Sequence, residues 1–325
     1  MLQYQQLIKD VFADGEWEEN RTGTRALTLP GAALFFNLAN GEFPAITTKQ
    51  LAFKSVVGEL AGFLRGFTSA HAFREMGTKI WDQNANENAA WLANPNRLGE
   101  DHLGAIYGYQ WRNWPAFKRV GLDQGDIITK VEKEGWEPIA CTGKEFIYFK
   151  RIDQVRQAIE AIITNPTDRR ILFHAWNPAD LDGMALPPCH LLYQLIPSTK
   201  KRQLHMTLTI RSSDIGLGLP FNIASAAAML SLFAHVTGYT PGRLSIFLGN
   251  AHIYEDHIEM CKEVLKRPAL PSPQLRLFGG QPHEMKLNEE VAIKQAMDKI
   301  DYIMPTDFEL VGYEHHPAIK APMAV

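Results

Sequence analysis

Residues 203–222 read QLHMTLTIRSSDIGLGLPFN, and the chain then runs apolar to Val236. Leu204, Met206, Leu208 and Ile210 alternate with His205, Thr207 and Thr209. That period predicts a strand whose two faces meet different surroundings. Phe221 to Val236 is apolar on most sides and predicts a buried central helix ending near Gly238. Between strand and helix stand a cation, hydroxyls, a carboxylate, two glycines and an amide, the content of a site.

Outward from this stretch, strands are expected over Ile171–Trp176, Leu191–Ile196 and Arg243–Gly249, and over 26–37 with a break at Pro30-Gly31. Helical spacing marks 2–13, Phe53–Arg65, 152–163 and Tyr254–Lys266. Glu59 lies inside the second of these, at its wet edge or deliberately buried. Residues 84–103 read as an irregular excursion. In 117–150, glycines punctuate β-prone pieces such as Asp126–Val131 and Glu145–Phe149, which predicts a small hairpin-like insertion. Helices and strands interleave, with no linker between Ile152 and Leu277. The expected architecture is therefore one α/β domain over 1–325 with a β-rich insertion at about 117–150.

Composition narrows the function. A net charge of −3 gives no reason for attraction to nucleic acid or an anionic membrane. No apolar run is read as approaching the ~18 residues of a membrane span. Three cysteines with no paired spacing argue for a reducing compartment, and against a disulfide framework or a cysteine zinc site.

Residues 186–190 read LPPCH. Two prolines cannot sit inside a central ladder, so they place Cys189 at a strand end or turn. The residues alone leave open whether this thiol is reactive or an inert buried one. A reactive thiol needs a nearby cation. Arg211 is the candidate; His190 is a poor base, because successive strand residues face opposite ways. Arg21, Arg169, Arg170 and Arg211 could together cage a phosphate dianion. The spacing is not a P-loop, and GLGLPF at 216–221 lacks the last glycine of a dinucleotide fingerprint. Asn222 could cap the helix or read the edge of a base. Asp214 is a turn residue or a ring-binding carboxylate. His252 and Tyr254 suit a sugar hydroxyl better than a metal, since no third ligand lies near His252 and His257 and no H-E-x-x-H pattern occurs. The end of the chain, APMAV at 321–325, reads as a frayed terminus or a flap over a ligand.

These residues closely resemble the folate-dependent thymidylate synthase family, almost end to end. The matching strings are RTGT at 21–24, FPAITTK at 43–49, IWD at 80–82, YGYQWR at 107–112, DRR at 168–170, AWNP at 175–178, MALPPCH at 184–190, RSSDIGLGLPFNIA at 211–224, GNAHIY at 249–254 and MAV at 323–325. The resemblance implies a three-layer α/β fold around a twisted mixed sheet, with two subunits stacked sheet to sheet. It implies reductive methylation of dUMP by 5,10-methylenetetrahydrofolate in the cytoplasm, with no metal and no NAD. By resemblance Cys189 is the nucleophile, Asn222 reads the pyrimidine, and Glu59 and Tyr107 handle protons. Arg21, Arg211 and Ser212 hold phosphate in cis, and Arg169 and Arg170 reach the partner's site. His252 and Tyr254 hold the sugar. Asp214, Trp81, Gly218, Phe221, Ala324 and Val325 serve the folate side, with Val325 helping to close the site. Ile210, Gly216, Asn84, Ala226, Asn250 and His174 depart from the family's usual residues (Gln, an aromatic, Trp, Tyr, Asp and Ser), mostly near the folate side. The same fold is compatible with a dUMP hydroxymethylase. A non-catalytic nucleotide- or RNA-binding module is the reading from another class.

Overall fold

The computed structural model describes residues 1–280 and 288–322. A six-stranded sheet runs in the order Glu16–Glu18, Ala26–Asn37, Thr240–Tyr254, Gln203–Asp214, His190–Ser198, Leu172–His174. One neighbouring pair, Gln203–Asp214 with Thr240–Tyr254, is parallel and the other four are antiparallel. A parallel pair needs a long crossover, and the Gly218–Val236 helix provides it. This mixed α/β architecture is the expected fold class.

That helix is nearly all buried, from Ile223 to Ala234 without interruption. By length and composition it could span a membrane, contrary to the sequence expectation, yet 83% of its apolar window is buried. It is the core helix of the domain. The Phe53–Leu64 helix packs against it, and both lie with the apolar core. The other face of the sheet is built by residues paired in register: Phe35, Ser245, Thr207, Gln194 and Leu172 form one row, and Ala33, Phe247, Thr209 and Leu192 the next. Phe35, Phe247, Leu172 and Ile196 on this face are exposed.

Several local expectations change. The strand at 26–37 is continuous, paired on both sides of Gly31, whose φ of 72° absorbs the kink. The Thr240–Tyr254 strand outruns its expected end. A 3-10 turn, Glu255–His257, then precedes the helix Ile258–Lys266. Within 84–103, Asp82–Asn86 and Ala89–Leu92 form short helices. The stretch expected as an insertion folds as a three-stranded sheet of Trp114–Gly121, Glu145–Ile152 and Glu137–Cys141, and Asp126–Val131 belongs to a helix, Gly125–Lys133. Helix wins there because Val131 can pack into a small core with Val120, Trp136 and Tyr148. Asp126 in the first turn and Lys130 and Lys133 in the last also suit the helix dipole.

Candidate active site

The site opens at one end of the six-stranded sheet. The last backbone bond between the His190–Ser198 and Gln203–Asp214 strands runs from Arg211 N–H to Cys189 O, at 2.9 Å. That register makes Arg211 the cross-strand neighbour of the thiol. Its guanidinium donates to the carbonyls of Pro188 (2.9 Å) and Pro187 (3.1 Å) and lies 3.8 Å from Cys189 Sγ. One cation thus fixes the proline turn and faces the sulfur. Burial pushes the thiol's pKa up; Arg211, the Tyr107 hydroxyl and Arg21 pull it down without cancelling that effect. Arg211, the cation expected from the sequence, lies beside the sulfur, and the burial left open there opposes the thiolate.

Cys189 and Arg211 line a cleft of ≈ 500 Å³, together with Arg21, Ser212, Asp214, His252 and Tyr254. His252 Nδ1 lies 2.8 Å from Asn250 Oδ1. An amide oxygen only accepts, so the proton is on Nδ1 and Nε2 is left as an acceptor. Nε2 is buried and has no partner among the described residues, which a ligand hydroxyl would supply. Asn250, one of the departures from the family pattern, therefore sets the tautomer of His252.

Beside the thiol, Tyr107 hydroxyl accepts from Cys189 N–H at 2.7 Å. Its helix, Tyr107–Arg112, approaches the Phe53–Leu64 helix closely: a Cβ at Gly108 would meet Phe63 O at 2.4 Å. That approach stacks Tyr107 on Phe63 at 4.7 Å between ring centroids. Glu59, on the same neighbouring helix, is 7% exposed, which settles its place as buried. Burial raises its pKa to about 8, against the pull of the Trp81 N–H that bonds Oε1 at 3.0 Å. Trp81 itself is buried, with its indole N–H on this carboxylate.

Asn222 is not a cap. The helix starts at Gly218 with Leu217 at the N-cap, so Asn222 sits one turn inside. Its amide bonds His190, whose Nδ1 lies 2.9 Å from the Tyr193 hydroxyl. Burial pushes His190 down to about 4, so it is neutral near pH 7. His190 is rightly discarded as a base for Cys189, but it anchors Asn222, a role that no sequence signal pointed to. Asp214 Oδ1 accepts from Gly216 N–H at 2.8 Å, a turn contact, while the side chain also lines the cleft. Gly218 lies against both: a Cβ there would sit 3.7 Å from Asp214 Cβ and 4.0 Å from Asn222 Nδ2. Phe221 packs partly buried against the core.

Two expectations lie elsewhere. Arg169 and Arg170 are exposed, do not line this cleft, and Arg170 pairs with Asp168 at 2.8 Å. Ala324 and Val325 fall outside the described residues. Among the described residues, no group of three or more His, Cys, Asp or Glu side chains could hold a metal ion.

A thiol beside a guanidinium, with a buried carboxylate, an anchored amide and an unpaired imidazole nitrogen around it, defines an enzyme class. Such groups together have the chemistry that sulfur attack on an anionic, hydroxylated ring would need. The chain matches the thymidylate synthase family model over residues 2–325. It is 51% identical to thymidylate synthase of Pseudomonas putida over the whole of both chains. It is 48% identical to the Bordetella parapertussis enzyme, also over both full lengths. It is 37% identical to human thymidylate synthase, across all of this chain and 90% of the human one. The chain belongs to the thymidylate synthase family.

Proposed function

We propose that this chain is a methyltransferase that converts dUMP and 5,10-methylenetetrahydrofolate into dTMP and dihydrofolate. The observation that carries the reading is the Cys189 sulfur 3.8 Å from the Arg211 guanidinium, inside a cleft that also holds Arg21, Ser212, Asp214, His252 and Tyr254. Arg21, Arg211 and Ser212 bind the phosphate of dUMP. His252 Nε2 accepts from the deoxyribose hydroxyl, with Tyr254 beside it.

C5 of uracil is too weak a nucleophile to react unaided. The Cys189 thiolate adds to C6, and the displaced electron pair moves to C5 and O4. Asn222, held by His190, donates to O4 as that charge develops. Arg211 favours the thiolate and the substrate dianion together. After carbon transfer, the C5 proton leaves through Tyr107, Glu59 and ordered water. A carboxyl with a pKa of about 8 can hold and release a proton near neutrality. The folate supplies the one-carbon unit and then the hydride, so no nicotinamide site is called for; as the hydride arrives the C6–S bond breaks and Cys189 leaves as the thiolate, freeing dTMP. Asp214, on the cleft wall, suits the N–H groups of a pterin. Trp81, Gly218 and Phe221, with Ala324 and Val325, complete that side.

The active unit is a homodimer built on the exposed sheet face. Phe35, Phe247, Leu172 and Ile196 give it apolar surface; Arg169 and Arg170 lie outside their own cleft and serve the partner's, where Arg170 exchanges Asp168 for the phosphate. With three free thiols, the compartment is the cytoplasm. The test is to incubate the protein with dUMP and methylenetetrahydrofolate, follow dihydrofolate by absorbance and weigh the nucleotide product. dTMP supports the proposal. Hydroxymethyl-dUMP would assign a hydroxymethylase, and binding without turnover a non-catalytic module.

A further inference from the structure

One buried ionisable side chain has no part in the chemistry above. His257 lies in the 3-10 turn after Tyr254, with none of its side chain exposed. Its ring nitrogens meet two distant parts of the chain. Nδ1 is 3.3 Å from Asp214 Oδ1, and Nε2 is 2.6 Å from the backbone carbonyl of Pro322, the last residue described. A carboxylate and a peptide carbonyl only accept, so both bonds form only if both nitrogens carry hydrogen. The geometry therefore calls for an imidazolium.

The groups around the ring agree on balance. Asp214 comes from the end of the Gln203–Asp214 strand, and Asp256 Oδ1 lies 3.7 Å from Nε2 within the same turn. Lys49, buried nearby, donates to Gly216 O at 2.8 Å. His252, Cys261 and Tyr4, whose hydroxyl donates to Ile215 O at 2.8 Å, also lie around Asp214, and the Tyr254 ring stands edge-on to His257 with centroids 5.6 Å apart. Burial disfavours the cation, but the bond and charge of Asp214, the Pro322 carbonyl and Asp256 outweigh it, and His257 sits above its ordinary value. Burial likewise opposes charge on Asp214, and the bond and charge of His257, with His252 and the Gly216 N–H, overcome it.

Gly216 makes room for the ring. A Cβ there would come within 2.7 Å of His257 Nδ1 and of the Met260 methyl. Only a residue without a side chain leaves the imidazole this place against the backbone. Oδ1 of Asp214 is then committed to Gly216 N–H and His257, while among the described residues Oδ2 has only the 3.3 Å contact of Leu217 N–H and can accept from a ligand.

We infer that His257 is a positioning residue for the folate half of the cleft: it clamps the segment ending at Pro322 to Asp214 and holds that carboxylate ionised and oriented. The inference rests on Asp214 as the pterin-binding group. Replacing His257 by Phe is expected to raise KM for methylenetetrahydrofolate about tenfold or more, the value of a charge-assisted bond. KM for dUMP should stay within about twofold. In the native enzyme kcat/KM for the folate falls as pH rises through the His257 titration; in His257→Phe that limb disappears. His257→Gln, which keeps one donor, recovers part of the loss. Gly216→Ala, whose Cβ displaces the ring, should give the same signature and serves if His257→Phe does not fold. Nitrogen-15 NMR of the native protein tests the clamp independently of turnover. Both nitrogens of His257 should be protonated at pH 7, and Asp214→Asn should return the ring toward neutral. A neutral His257 at pH 7, or variants with unchanged folate KM and pH profile, overturns the inference. Absence of dihydrofolate formation by the native protein would instead overturn the proposed function.

Discussion

Replacing Glu59 by Gln separates the catalytic demand on this residue from its cost to the fold. The carboxyl is buried and its pKa rises from 4.5 to about 8. Because the folded value lies above the unfolded one, the folded state prefers the protonated form. The contribution of Glu59 to stability is therefore fully present below pH 4.5 and is lost as pH climbs toward about 8. At about 1.4 kcal/mol per pH unit, the gap amounts to roughly 5 kcal/mol at most, of which roughly 3 kcal/mol is already lost at pH 7. Glutamine does not titrate, has nearly the same shape, and can still accept from Trp81. The variant should thus be inactive, about as stable as wild type at pH 4.5, and progressively more stable than wild type up to pH 8. Urea unfolding of both proteins at matched concentration, at intervals from pH 4.5 to 9, measures the difference directly. Parallel curves across that range, or a variant less stable than wild type at pH 8, would refute the assignment of Glu59 as a buried acid.

Three other perturbations probe the remaining parts of the site. Arg211→Met should shift the pH dependence of Cys189 alkylation upward by roughly one unit or more, since the thiolate loses its nearest cation; an unchanged alkylation curve contradicts that role. His190→Phe should lower kcat by about 10- to 100-fold while changing KM for dUMP less, because Asn222 loses its anchor; steady-state kinetics with either substrate varied would decide it. Mixing Cys189→Ala subunits with Arg170→Ala subunits should restore turnover that neither has alone, because one site of the mixed dimer is intact; no recovery after confirmed subunit exchange contradicts sharing of the arginine.

The elements that sequence periodicity located well are those whose packing is regular. The Gly218–Val236 helix and the Gln203–Asp214 strand meet continuous, uniform surroundings, so their patterns are clean. Asp126–Val131 was misread because Ile127, Ile128 and Val131 suit either a strand or one helix face, and only the neighbouring Trp136 and Tyr148 decide between them. In the site, the kinds of side chain were legible and their partners were not. Cys189 and Arg211 meet through strand register, which spacing along the chain does not reveal. His257 read as a failed metal ligand because one of its partners is a peptide carbonyl at Pro322, and carbonyls leave no mark in a sequence. His190 looked idle because its partners, Asn222 and Tyr193, lie away from the thiol it follows.

The most direct test of the account is the Cys189→Ala variant, assayed side by side for dihydrofolate formation and for dUMP binding by calorimetry. The account predicts no dihydrofolate above background, with dUMP still bound through Arg21, Arg211, Ser212, His252 and Tyr254. Sustained turnover by that variant would contradict the claim that this sulfur opens the reaction.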